Sequence, residues 1–153
     1  MISKISNQYC LFIFLLMIIL IETCDVEVRL KSNTEKPFQF HLSVEAVKYW
    51  SHRVTVTGKT VKKPDGSFSN YHVFHIKGPK CNTKHWHFFV WGLKKGSNLT
   101  SPIWKITDHE KLKMKSLKML KLYKLQPYVS ITVKENLKIS MGPIFGILWC
   151  KYC

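Results

Sequence analysis

Two histidines stand two residues apart in the stretch Cys81-Asn-Thr-Lys-His-Trp-His-Phe-Phe-Val-Trp91. On an extended strand His85 and His87 share a face, and imidazoles at that spacing can ligate zinc. A hairpin turning at Gly78-Pro79 would oppose residue 75 to residue 85 and add His75. That would make three neutral ligands with an open coordination position. A slip of one residue sends His75 to the other face, and no acidic partner is evident to orient the rings. Exposed histidines on the wet side of a strand are the commoner arrangement, so no metal is expected. Asp108-His109-Glu110 is the only local cluster of acid–base groups. Three adjacent polar residues more often make a solvated turn than a catalytic site. No nucleophile elbow, phosphate-cradling glycine loop or zincin motif is present. The expectation is therefore a protein that is not an enzyme, with no catalytic residues and no cofactor.

Cysteine chemistry depends on the compartment. Lys4 precedes an unbroken apolar run, Leu11 to Ile21, of signal-peptide length and short for a membrane span. Residues 1–23 read as a signal peptide and 24–153 as a single domain, soluble and outside the cell. Cleavage before Cys24 is favoured, and a cut after Cys24 is the alternative. Cys24, Cys81, Cys150 and Cys153 then remain, an even number in an oxidising setting. Two disulfides are expected, and three connectivities are open. The favoured one sends the two terminal cysteines separately to Cys24 and Cys81. Cys150-Lys-Tyr-Cys153 is formally C-x-x-C, but no thioredoxin-like context surrounds it and no second such pair completes a zinc site. Asn98-Leu99-Thr100 is an N-glycosylation acceptor.

The elements that must position these residues are strands. The central stretch alternates, with Trp86, Phe88 and Val90 on one side and His85, His87, Phe89 and Trp91 on the other. Residues 25–31 alternate with Val26, Val28 and Leu30 inward, and residues 37–46 with Phe38, Phe40, Leu42, Val44 and Ala46 inward. The polar link Ser32 to Lys36 is of hairpin length. Further strands are read at 50–56, 68–77, 103–107, 128–134 and 137–141. Pro64-Asp-Gly66 and Glu135-Asn136 are turn signals, and Gly142-Pro143 interrupts the chain before an apolar tail. Such short strands with turns between them predict an all-β fold, a small disulfide-linked antiparallel β-sandwich of immunoglobulin-like or similar architecture.

Lysine and arginine number 24 against nine acids, a formal charge of +15. Such a balance favours acidic partners. Only Arg29 and Arg53 are arginines, so specific phosphate recognition by bidentate forks is disfavoured and nucleic acid is not expected. The densest lysines fall between Lys111 and Leu125. Lys111, Lys113 and Lys115 alternate strictly with apolar residues, and the phase slips at Ser116. A strand with a bulge accounts for that slip. A cationic amphipathic helix is the alternative, but on it Lys115, Lys118, Lys121 and Lys124 smear around the circle.

A signal peptide, Cys24-Asp-Val-Glu-Val28, a central Lys80-Cys81 followed by Trp86, and the ending Gly146-Ile-Leu-Trp-Cys-Lys-Tyr-Cys153 together resemble a group of small secreted nematode proteins. The resemblance covers the layout of the mature chain and implies a disulfide-linked β domain, with no activity and no site residues to carry over. The lysine-rich stretch after Asp108 departs from that layout. The leading expectation is a secreted binding module that meets an extracellular polyanion or a host protein through lysine-rich strands. A lipid carrier using the 13% aromatic content as apolar wall, and a cationic membrane-active protein, are the alternatives.

Overall fold

The computed structural model describes residues 23–59, 61–62, 68–69, 71–117 and 126–150. The leader segment other than Thr23, together with Cys153 and lysines 118, 121 and 124, lies outside the described residues. Among those described, no helix is long and apolar enough to cross a membrane.

Among the described residues twelve strands run in chain order: β1 (Thr23–Ser32), β2 (Phe38–Val44), β3 (Tyr49–Trp50), β4 (Val54–Val56), β5 (Val61–Lys62), β6 (Phe68–Ser69), β7 (Tyr71–Pro79), β8 (His85–Leu93), β9 (Trp104–Leu117), β10 (Tyr128–Val133), β11 (Ile139–Phe145) and β12 (Ile147–Cys150). One sheet has the order β11-β10-β1-β7. The other has the order β12-β9-β8-β2-β3, with β4 also paired to β2. The short pair β5–β6 stands apart from both. Period-two burial makes the two sheets face each other. Val26, Val28, Leu30, Ile76, Val129, Ile131 and Val133 line one inner face, and Phe38, Phe40, Leu42, Val44, Trp86, Phe88, Leu112 and Met114 the other. Phe40 bridges them, its ring centroid 5.5 Å from Phe74 and 6.5 Å from Phe88. The result is the disulfide-linked β-sandwich that the alternation predicts.

Several local readings change. The pairings between strands of both sheets are antiparallel except one: β1 runs parallel to β10, with Val28 opposite Val129. Ser32 to Lys36 is no hairpin; it carries the chain from one sheet to the other. β2 ends at Val44, and Ala46 sits in a 3-10 turn closed by Lys48 in the left-handed region. Residues 103–110 form neither a short strand nor a turn, since β9 runs unbroken from Trp104 through Leu117. That removes the helix alternative for 111–117. The register between β9 and β12 shifts where Ser116 faces Leu148 and Met114 faces Trp149, leaving Lys115 as the extra residue. A second shift, between Val90 and Trp91, leaves Thr107 unmatched and reverses which residues of β9 face out. Gly142-Pro143 does not end its strand: β11 is an edge strand and bulges there opposite Ser130. An edge bulge is where a residue without an N–H is tolerated.

The terminal-cysteine pairing expected from sequence is overturned. Cys24 is bonded to Cys81, with Cα atoms 5.9 Å apart. Antiparallel pairing of β1 with β7 sets Cys24 opposite Gly78, and the chain then turns through Lys80, in the left-handed region, to bring Cys81 back against β1. Both cysteines are buried, and the Trp86 indole N–H donates to the Cys81 carbonyl at 3.0 Å. The backbone of Cys150 lies in β12, opposite Lys113.

Candidate functional site

Directly opposed residues of neighbouring strands share a face, so register alone assembles a site on the outer side of the six-stranded sheet. One row crosses three strands: His41 of β2, Phe89 of β8 and His109 of β9. The next reads Ser43, His87, Lys111, and the one after it His85, Lys113. Toward the other end Trp91 faces Ile106. Along β8 the outward side chains are thus Trp91, Phe89, His87 and His85, each two residues apart. At about 3.3 Å per residue they make a strip roughly 20 Å long.

The rings of this strip stack on one another. Phe89 and His109 are parallel within 2° at a centroid separation of 4.3 Å. Phe89 lies 5.8 Å from both Trp91 and His41 and 6.2 Å from His87. The Arg53 guanidinium sits 4.3 Å from the Trp91 ring centroid, a cation–π contact. His41, Ser51, His52, Arg53, Phe89, Trp91 and Ile106 line an open cleft of about 520 Å³ at this end.

Proton positions follow from the bonds. The Ser51 carbonyl lies 2.7 Å from His41 Nδ1 and can only accept, so His41 carries a proton there and leaves Nε2 available. His87 Nδ1 and His109 Nε2 are 3.0 Å apart, and one must donate to the other. Burial pushes the His87 imidazole below the usual histidine range, and the neighbouring His109 adds to that effect.

Ion pairs stand on both outer faces. On the four-stranded sheet Arg29 is bonded to Glu27 at 2.7 Å and lies over the Tyr128 ring, and Lys77 pairs with Asp25. On the six-stranded sheet Arg53, Lys111 and Lys113 have no carboxylate partner among the described residues. Glu45, at the edge of that face, holds Lys84 at 3.2 Å. Asp108 and Glu110 are turned to the inner side, opposite Val90 and Phe88. Asp108 Oδ2 accepts from the Ile139 amide at 2.7 Å and ties β9 to β11.

The zinc set weighed around His75, His85 and His87 does not assemble. β7 and β8 belong to different sheets, so His75 stands opposite Glu27 on the far side of the molecule. Among the described residues, no three histidines, cysteines or carboxylates are placed to hold a metal ion. Asp108, His109 and Glu110 divide between two faces and do not converge. Of the candidate polyanion-binding lysines in 111–124, Lys111 and Lys113 reach the site and Lys115 is exposed at the bulge. Asn98 is exposed on the β8–β9 loop, its Oδ1 accepting from the Thr100 hydroxyl at 2.6 Å. His41, His52, Arg53 and Phe89 escaped the sequence reading as members of a site, and His109 entered it only beside Asp108 and Glu110. Their signal was the outward parity of β8, which names one row and leaves the flanking strands unknown. No family model matches the chain, and no curated protein matches it.

Proposed function

We propose that the protein is a secreted, non-enzymatic binding module that captures an extracellular polyanion on the outer face of its six-stranded sheet. One observation carries this reading: that face gathers Arg53, Lys111 and Lys113 around stacked rings, and none of the three is neutralised by a carboxylate among the described residues. Uncompensated cations on a stiff sheet favour a ligand that brings its own negative charge. A planar guanidinium pinned on an indole is also pre-organised for an oxyanion.

Two rival readings gain less support. The large aromatics that would line a lipid cavity, Phe38, Phe40, Trp86 and Phe88, are completely buried in one cluster. The segment 111–117 that would insert in a membrane as a helix is a strand. The test is retention on immobilised heparin against a cation exchanger of matched charge density, eluted with salt. Later elution from heparin, lost in a Lys111→Gln/Lys113→Gln/Arg53→Gln variant, is the expected result. Coincident elution from both matrices refutes the proposal.

A further inference from the structure

Five of the seven histidines in the chain, His41, His52, His85, His87 and His109, lie on the one outer face described above. The other two, His72 and His75, stand on β7 in the opposite sheet. We propose that this face is a proton-dependent binding surface for a sulfated glycan chain, which it holds weakly near neutrality and tightly in mildly acidic surroundings. The inference rests on the polyanion reading and names both its ligand class and its control.

The charge available explains the control. Near neutrality the fixed cations of the face are Arg53, Lys111 and Lys113. Histidine is the side chain whose ordinary titration falls between neutral and mildly acid pH. His41, His52 and His85 each add one charge on protonation. The His87–His109 pair takes one proton at an outer nitrogen and keeps its 3.0 Å bond; a second proton would set two N–H groups against each other. Four added charges more than double the original three. A bound polyanion offsets the repulsion among them, so ligand and protons favour each other by linkage.

The groups facing these rings are few. On the strip itself stand His85, Phe89 and Trp91. From β9 come His109, Lys111 and Lys113, and from β2 come His41 and Ser43. His52 and Arg53 close one end, and Glu45 with its partner Lys84 the other. Glu45 is thus the single carboxylate among them, and it is already engaged by a lysine.

The ligand class follows from the same window. A phosphomonoester has its second pKa near 6 and loses charge as the imidazoles gain theirs. A sulfate ester keeps its charge throughout. The strip is roughly 20 Å long and about 10 Å wide across three strands, which suits a linear chain.

The experiment measures heparin affinity by titration calorimetry at about pH 7.5 and about pH 5.5, at constant salt. A tightening on the order of tenfold is expected on acidification. His85→Gln/His87→Gln/His109→Gln removes two of the four added charges and should lose about half of that gain on a logarithmic scale. Lys111→Gln/Lys113→Gln should weaken binding at both pH values. An undiminished gain in the histidine variant overturns the inference and leaves the polyanion reading standing. Absence of heparin binding at either pH overturns both. Vesicles of phosphatidylserine and phosphatidylcholine, or single-stranded DNA, that bind more tightly than heparin at the acid pH overturn the glycan assignment. If the histidine variant does not fold, the unmodified protein decides the matter in two buffers of different ionisation enthalpy. Net proton uptake on binding near pH 6.5 is required, and zero uptake refutes proton dependence.

Discussion

Removing the Cys24–Cys81 bond with Cys24→Ala/Cys81→Ala should cost a substantial share of the domain's stability. The bond joins residues 57 apart, and both sulfurs are buried. Alanine is the appropriate replacement, because a serine hydroxyl would need a partner at a buried site. The chain-entropy relation gives roughly 14 cal/mol/K for a loop of that size, or about 4 kcal/mol at room temperature. Domains of this size are typically stable by about 5–15 kcal/mol, so the variant should remain folded at low temperature with a reduced reserve. With a urea slope of about 2 kcal/mol/M, the midpoint should fall by about 2 M. The assay is urea unfolding followed by tryptophan fluorescence, run on both proteins in the absence of reductant. Peptide mapping without reduction should recover residue 24 linked to residue 81 in the parent. A midpoint shift below about 0.5 M would refute the reasoning, since the loop would then contribute almost nothing to the unfolded-state entropy.

Two further outcomes follow from the geometry. Trp86→Phe keeps an aromatic ring in the core but deletes the donor to the Cys81 carbonyl, leaving a buried acceptor unmatched; a loss of about 1–3 kcal/mol is expected in urea unfolding, and an unchanged midpoint would show that water replaces the indole there. His87 has a folded-state pKa below its unfolded value, so its neutral form contributes stability that is present above the unfolded pKa and is lost as pH falls through the folded one; His87→Gln should therefore flatten the acid side of the stability profile measured without ligand, and identical profiles for variant and parent contradict this.

Period-two patterning made β1, β2, β8 and β10 readable, because burial on one face is close to a binary property of each residue. Val26 to Leu30, Phe38 to Val44 and Trp86 to Val90 all point as their alternation requires. What patterning cannot say is which sheet a strand joins. Strands β1 and β2 are consecutive, as are β7 and β8, and each pair is split between sheets. Every inference that needed a hairpin there failed with it, His75 first. Polarity misled at Asp108-His109-Glu110, where a backbone amide of β11 supplies Asp108 with an inward partner and the polar run continues a strand. Proline misled at Pro143 because an edge bulge leaves its missing N–H without consequence. The outer face was half legible. Its central row lay in the sequence of β8, while His41, Arg53 and His109 required the strand order and the bulge at Thr107.

The position of β1 has a consequence for how the chain is made. It lies between β7 and β10, so its partners begin at Tyr71 and Tyr128. The parallel pairing of Val28 with Val129 spans most of the protein. During synthesis from the N-terminus, β1 waits for β10, some hundred residues later, before its sheet can close. Through that interval Val26, Val28 and Leu30 present an apolar edge to whatever else is near, while the Cys24 thiol can meet Cys81 much sooner. Topologies of such high sequence separation fold slowly. The early covalent tie between β1 and the turn ahead of β8 therefore guards the waiting strand against pairing with its neighbours.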